Sequence, residues 1–558
     1  MASPLLHSLR WLGLIAPLGF LGLFFLFPLW AILRLSFAEG LEGAWMALGH
    51  GYYWRVLGFT LGQALLSTLL TMFVALPGAY IFAHYHFPGK RMLRAVATVP
   101  FVLPTIVVAV AFAALLGPKG LLAPLLVALG LPTLHLGSGL GLVLLAHVFY
   151  NYSVVLRIVG GFWQHLDPRL GAAATMLGAK RHQVLLRVTM PLLLPALGAA
   201  ALLIFIFTFT SFGVIVILGG ARMATLEVEI YRQTMHLLRL DVAATLALIQ
   251  AACTLLLSVV YTRLAARVAV PLELQARQVA ARPVRSLAAK LLVGGNSAFM
   301  LIFLGMPLFA LVLRSLLAPP DSPWPLTLAA YQSLNANRTG SAFFVPPTVA
   351  MFNSLRIAAS TTILALSIGV PSAYLLARRP TQFPALPMLL DALFMLPLGI
   401  SAVTLGLGYL IALNQLGLGF LRASPWLLPL LHSLVALPFV IRSLLPVLRS
   451  RSPHQREAAL LLGATPVSAW LRVELPQIAP ALATGAVFAF TVSLGEFGAS
   501  LMLARPDQPT MPVMIFRFLG QPGALNYGQA LAMSSILMLT CAVAFVLLER
   551  MRPLGGEF

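Results

Sequence analysis

The sequence predicts an all-α integral membrane protein of about twelve transmembrane helices, arranged as two parallel six-helix repeats. Three observations predict it. Of 558 residues, 60% are apolar and only 9% charged, more apolar surface than a soluble chain has room to bury. Apolar runs of about 20 residues recur, the length that crosses the hydrocarbon core of a bilayer. Finally, a stretch of the second half repeats one of the first at a constant offset, the mark of an internal duplication.

The spans follow in order. His7 and Arg10 precede an apolar run over 12–33, too long for a signal-peptide core and without a clear cleavage signature, so it reads as the first span. Further spans are expected over 57–83, 93–116, 137–160, 192–219 and 241–268. The second half repeats the plan over 290–316, 350–377, 386–413, 425–448, 478–504 and 526–549. Cys253 and Cys541 each fall inside an apolar span, which suggests neither a disulfide framework nor a metal site.

Charge sets the orientation. A net charge of +21 raises the possibility of a nucleic-acid partner. The charges lie instead in short loops between apolar spans, where they fix membrane topology, so no nucleic acid is expected. With the N-terminus inside, about two-thirds of the 36 Lys and Arg residues fall in cytoplasmic segments. Both termini are therefore expected in the cytoplasm. The chain then divides into a first six-span repeat over 1–268, a linker over 269–289 and a second repeat over 290–558. The linker is basic, broken by Pro271 and Pro283, and reads as a cytoplasmic join between two once-separate subunits. The longest outer segment, 317–349, reads either as a docking surface for an extracytoplasmic partner or as a plain connection.

One cytoplasmic loop occurs twice. Asp167-Pro168 matches Ser452-Pro453, an offset of 285, and Gly178, Arg187, Pro191 and Pro195 match Gly463, Arg472, Pro476 and Pro480 at that offset. Each copy opens on a helix-start signal, an N-cap Asp or Ser followed by Pro at the first helical position. Gln455 completes the sequence of a capping box with Ser452. Small residues follow, and Gly178 or Gly463 ends the short helix. The duplication extends outward: His147 matches His432, Arg157 matches Arg442, and Thr225, Ile230 and Arg232 match Thr510, Ile515 and Arg517. Pro77 and Pro371 correspond at a slightly larger offset. Same-direction repeats face each other across an axis along the membrane normal.

This stretch resembles the EAA loop of bacterial ABC importer permeases: Glu-Ala-Ala, three residues, Gly, nine residues, Ile, one residue, Leu-Pro. The second copy supplies Glu457, Ala458, Ala459, Gly463, Val473 and Leu475-Pro476; the first supplies Ala172, Ala173, Ala174, Gly178, Val188 and Met190-Pro191. The departure is Ala172, where the pattern has Glu. The resemblance implies the type I ABC importer permease fold, in the bacterial inner membrane, with coupling loops over 164–195 and 449–480. It also implies two copies of an ABC ATPase on the cytoplasmic side and an extracytoplasmic substrate-binding protein. The chain itself has no G-x-x-x-x-G-K-[ST] phosphate loop, because none of its four lysines precedes Ser or Thr. It also lacks an H-E-x-x-H zinc motif and a G-x-S-x-G nucleophile elbow. No enzyme activity is expected here; ATP and Mg would be bound by the partner ATPase. Each short helix would then sit in a groove of one ATPase subunit, and closure of the pair would rock one half against the other.

Few ionisable residues sit at membrane depth. Glu496, in S-L-G-E-F-G, carries a cost of a few kcal/mol unless paired or hydrated. Ser211 occupies its matching place, and Phe212 matches Phe497. Ser211, Phe212, Glu496 and Phe497 are candidates for the translocation path or its gate; alternatively Glu496 satisfies backbone groups at a helix break. His147 and His432 read better as polar ties between helices than as a metal pair. Glu227 and Glu229 are expected outside, attracting a cation or neutralising Arg222 and Arg232.

Fused double-length permeases of this kind resemble those of the thiamine and ferric-iron importers. The segments L-A-H-V-F-Y-N from Leu145 and from Ser211 through to Ile230-Tyr231 look closer to the thiamine permease, and thiamine is the expected solute. Ferric iron is the alternative, and a twelve-span ion-coupled carrier the wider one.

Overall fold

Inside a bilayer every backbone N–H and C=O must find a partner within the protein, so apolar spans form helices. The computed structural model describes residues 15–38, 45–46, 49–118, 120–128, 130, 139–220, 223–268, 282–317, 326–337, 344–377, 386–452 and 454–551. The first series of helices is α1 Ile15–Phe37, α2 Gly51–His84, α3 Lys90–Val102, α4 Thr105–Leu116, α5 Leu140–Gln164, α6 Pro168–Met176, α7 Arg181–Phe209, α8 Gly213–Leu218, α9 Leu226–Met235 and α10 Leu240–Val268. The second series repeats it: α11 Leu287–Leu316, α12 Pro347–Ala377, α13 Leu389–Gly399, α14 Ala402–Gln415, α15 Leu427–Ser450, α16 His454–Leu461, α17 Pro466–Gly495, α18 Gly498–Leu503, α19 Met511–Leu519 and α20 Ala524–Met551. Of the expected linker, 269–281 lies outside the described residues. Arg282–Pro283 pairs in parallel with Tyr85–His86, tying the entry of α11 to the α2–α3 connection.

Among the described residues, ten helices are long and apolar enough to cross alone. Two expected spans are broken: α3 and α4 meet at 106°, α13 and α14 at 93°. Pro104 lacks an N–H and holds Leu103 extended. In the second half Pro397 opens a tight turn, Ile400 is extended, and Ser401 caps α14 by accepting from the Thr404 N–H at 3.1 Å. Each bent pair still carries the chain across once. Contacts between α2 and α5 advance together, Ser67 with His147 and then Ala79 with Gly160, so these helices run in the same direction. Contacts between α12 and α15 do likewise, Thr361 with Pro429, Gly369 with Val440 and Leu376 with Arg449. The segment between two parallel spans must return across the membrane, which brings the count among the described residues to twelve. The spans expected over 192–219 and 478–504 also end early, at Phe209 and Gly495, and resume as the short α8 and α18.

Prolines shape the long helices as well. Three π turns, Gly22–Leu26, Leu185–Thr189 and Trp470–Glu474, each end two residues before a proline: Pro28, Pro191 and Pro476. A proline cannot donate to the carbonyl four residues back and its ring crowds that carbonyl; widening the preceding turn relieves the clash. Pro28 leaves the Phe24 carbonyl without its helical donor, and the Tyr409 hydroxyl supplies one at 2.8 Å.

That bond joins the halves. α1 packs on α14, and reciprocally α11 packs on α4. At Gly408 the backbone of α1 comes so close that a Cβ would lie 3.0 Å from the Pro28 carbonyl oxygen. Large apolar side chains on the outer faces, such as Phe73 (77% exposed) and Ile363 (66%), are turned to lipid. Gly408→Leu is expected to push α1 off α14 and destabilise the fold by about 1–3 kcal/mol, measured as a lowered thermal midpoint of the detergent-purified protein.

Candidate functional site

Four helix interruptions converge at the centre: Leu103-Pro104, Ile400-Ser401, Thr210–Phe212 and Glu496-Phe497. Broken helices leave room between their ends, here a cavity of about 290 Å³. It is bordered by all four path candidates, Ser211, Phe212, Glu496 and Phe497. The Phe212 and Phe497 rings meet across the two halves with centroids 5.4 Å apart, a spacing typical of attractive aromatic pairs.

Glu496 is buried and well satisfied. Its Oε1 accepts from the Ala499 N–H at 2.9 Å, and its Oε2 accepts from the Ser500 N–H at 2.9 Å. His432 Nε2 lies 3.1 Å from Oε2. The carboxylate therefore satisfies backbone groups at the start of α18 and also borders the cavity. His147 and His432 are helix-to-helix ties. His147 bonds Ser67 through Nδ1 and Ser211 through Nε2, both at 2.9 Å. His432 bonds Ser493 through Nδ1 at 2.9 Å and Ser500 through Nε2 at 3.2 Å.

Glu227 differs from expectation. It is buried in the cavity wall, where its Oε1 accepts from Gln250 Nε2 at 2.8 Å. Glu229 is buried too; it accepts from the Tyr52 hydroxyl at 3.0 Å and pairs with Arg232 at 3.4 Å. Arg222 lies outside the described residues. The reason for the difference is that α9 folds back between the spans, so its two glutamates face protein on both sides. Tyr150 and Asn151 also border the cavity, with Phe101, Phe207, Phe439 and Phe488. Asn151 donates to the His147 carbonyl at 3.0 Å, and its own side-chain oxygen has no partner. The run Tyr150-Asn151-Tyr152 is conspicuous in the sequence; the phenylalanines carried no such signal.

The second region is the pair of short helices α6 and α16. Asp167 accepts from the Arg169 N–H at 2.9 Å, as its capping position requires. Pro453 lies outside the described residues, and the expected capping box is not formed: the Gln455 side-chain oxygen accepts from Gln477 Nε2 at 2.9 Å instead. Gly178 (φ +85°) and Gly463 (φ +86°) end their helices in the left-handed conformation. The next N–H reaches back to Ala174 and Ala459 respectively, each at 3.0 Å. Neither short helix has a buried residue. Ala172, Ala173 and Ala458 are exposed and Ala459 half-buried. Matching apolar side chains stand out from both, Met176 (90% exposed) with Leu461 (89%) and Leu177 (89%) with Leu462 (88%). Glu457 is solvent-facing, 3.3 Å from His454. Pro191 and Pro476 sit just beyond the π turns that join each loop to its span.

The family profile described as binding-protein-dependent transport system inner membrane component matches residues 75–270. The molybdenum transport system permease protein ModB of Mycobacterium bovis is 31% identical over 270 residues, covering 46% of this chain and 92% of that protein. The chain belongs to the binding-protein-dependent transport permeases. Over a longer reach, the thiamine transport system permease proteins ThiP of Salmonella typhimurium and Escherichia coli are 26% identical, each match covering 91% of both chains. The permease is thus a non-catalytic, multi-pass inner-membrane subunit of an ABC importer, with ATP hydrolysis on a separate subunit. The ion-coupled carrier is set aside.

Glu496→Ala would strip one acceptor from two buried N–H groups and from His432. The expected outcome is a loss of about 1–3 kcal/mol, seen as a lower thermal midpoint, with Glu496→Gln closer to wild type.

Proposed function

We propose that the permease carries thiamine, that the central cavity is its path, and that α6 and α16 dock two copies of the ATPase. The observation that carries the solute is the chemistry of the cavity wall. Six phenylalanines and Tyr150 line it together with the carboxyl groups of Glu227 and Glu496, and among the described residues its lining contains no Lys or Arg. A cation with flat aromatic rings gains from aromatic faces and from negative charge, and thiamine is such a cation. An oxyanion would meet the Glu496 carboxylate with no Lys or Arg beside it among the described residues. A ferric ion asks for a cluster of oxygen ligands, whereas aromatic faces dominate this wall. The full-length relatives named as thiamine permeases point the same way.

Docking through α6 and α16 is supported by their exposure, their matched apolar side chains and their paired glycine ends. In this reading both short helices and both termini face the cytoplasm, in keeping with the basic loops. An extracytoplasmic binding protein delivers the solute on the other side. Closure of the ATPase pair draws α6 and α16 together, and the motion opens the cavity to the opposite face.

Uptake of labelled thiamine and of labelled ferric iron, in cells carrying the complete importer, tests both parts. Thiamine uptake is expected, and Gly463→Asp is expected to abolish it with the protein still inserted. Import of iron alone would overturn the solute. Undiminished uptake by the inserted mutant would overturn the docking.

A further inference from the structure

We infer that Glu474 is a positioning residue that fastens the second short helix, and not the first, to the membrane spans. The inference rests on the reading of α6 and α16 as docking helices. Glu474 is the last residue of the π turn before Leu475-Pro476 and is fully buried. Its Oε2 accepts from the Tyr374 hydroxyl and from Arg451 Nη1, each at 3.0 Å. Arg456 Nε lies 3.3 Å from Oε1, an ionic contact without hydrogen-bond alignment. Trp470 Nε1 donates to the same Tyr374 hydroxyl at 3.1 Å.

These partners come from different pieces of chain. Tyr374 belongs to α12, Arg451 follows α15, Arg456 rides on α16, and Glu474 and Trp470 lie on α17. One buried carboxylate therefore links the short helix to three spans. Burying a carboxylate is costly unless charged partners surround it, and removing any one member leaves the others exposed to that cost. Such a cluster resists being pulled apart.

The first half makes the same turn without it. At the offset of 285, Glu474, Arg451, Arg456 and Trp470 match Thr189, Leu166, Gly171 and Leu185. Tyr374 alone keeps its identity, in Tyr80, at the larger offset that also relates Pro371 to Pro77. The first half nevertheless forms its short helix, π turn and span in the same order. The cluster is thus not needed to build the loop. What it adds is stiffness between α16 and the spans. The two docking helices are then mechanically unequal: α16 moves as one body with α12, α15 and α17, while α6 can shift against its own spans.

The test uses the complete importer in proteoliposomes, with Cys253 and Cys541 replaced by Ala. Spin labels at Leu461→Cys and Ile363→Cys report the second half, and labels at Met176→Cys and Leu69→Cys report the matched pair in the first. ATP is expected to leave the 461–363 distance fixed and to change the 176–69 distance. Glu474→Gln is expected to broaden the 461–363 distribution and to raise the ATP consumed per thiamine imported by about three- to thirtyfold, with Glu474→Asp partly restoring both. Should Glu474→Gln fail to insert, the triple variant Arg451→Leu, Arg456→Gly, Glu474→Thr takes its place, since the first half folds with those residues. Equal responses of the two label pairs in the wild type, or unchanged distances and stoichiometry in an inserted variant, would overturn the inference. The distances need no solute, so they stand apart from the thiamine reading. If Gly463→Asp leaves ATPase binding intact, the docking reading fails and this inference falls with it.

Discussion

The architecture depends on one constraint: in lipid, a backbone carbonyl that loses its helical donor has no water to turn to. Prolines create such carbonyls, and this chain has 40 prolines. At three places where the helix continues past a proline the turn before it widens, ahead of Pro28, Pro191 and Pro476. Where it does not, the helix breaks and the ends are buried against protein, as at Pro104 and Pro397. The two proline breaks face the ends of α7 and α17 around one cavity. The space in the middle of the protein is a consequence of where donors are missing.

On this duplicated frame the two halves carry different chemistry. Tyr150, Asn151 and Glu227 border the cavity from the first half; at the offset of 285 their places are taken by Val435, Ala436 and Pro512. Conversely, the place of Ser211 in the first half is taken by Glu496 in the second. The histidine ties recur in both halves with hydroxyl partners, so they belong to the frame. The polar groups present in one half only are not required by it, since the other half folds without them. The buried cluster around Glu474 is a second difference of this kind, at the membrane edge instead of the centre.

Much of the plan was legible in the sequence. Apolar run length gave the spans, and the constant offset gave the repeat. Capping residues and Gly178 and Gly463 bounded the short helices to within a residue or two. The same pattern also led to Ser211, Phe212, Glu496 and Phe497, which the structure gathers around one cavity. Other features escaped for physical reasons. Hydropathy averages over a window and does not register a sharp bend, so the spans over 93–116 and 386–413 looked continuous although Pro104 and Pro397 were in view. Glu227 looked external because two glutamates in a short polar helix usually are; only the fold-back of α9 buries them. Gln455 fitted a capping box by spacing alone, yet Gln477 from the next span competes for its oxygen. Phe439 and Phe488 reach the cavity from faces that no local pattern distinguishes.

The exchange of first helices between the halves bears on how the protein is made. The Phe24 carbonyl and its donor Tyr409 are 385 residues apart. At a synthesis rate of roughly 5–20 residues per second, α1 is threaded into the bilayer about 20–80 seconds before α14 exists to receive it. During that interval its proline-freed carbonyl has no native donor, and although α10 reaches α1 earlier, through Ser36 and Thr245, the face that packs on α14 has no protein partner. The first six spans therefore cannot mature alone: the amino-terminal helix waits for the second half, while α11 emerges to find α4 already in place. Synthesis of a single fused chain guarantees that the awaited partner arrives in the same membrane, at the right copy number and beside the helix that needs it.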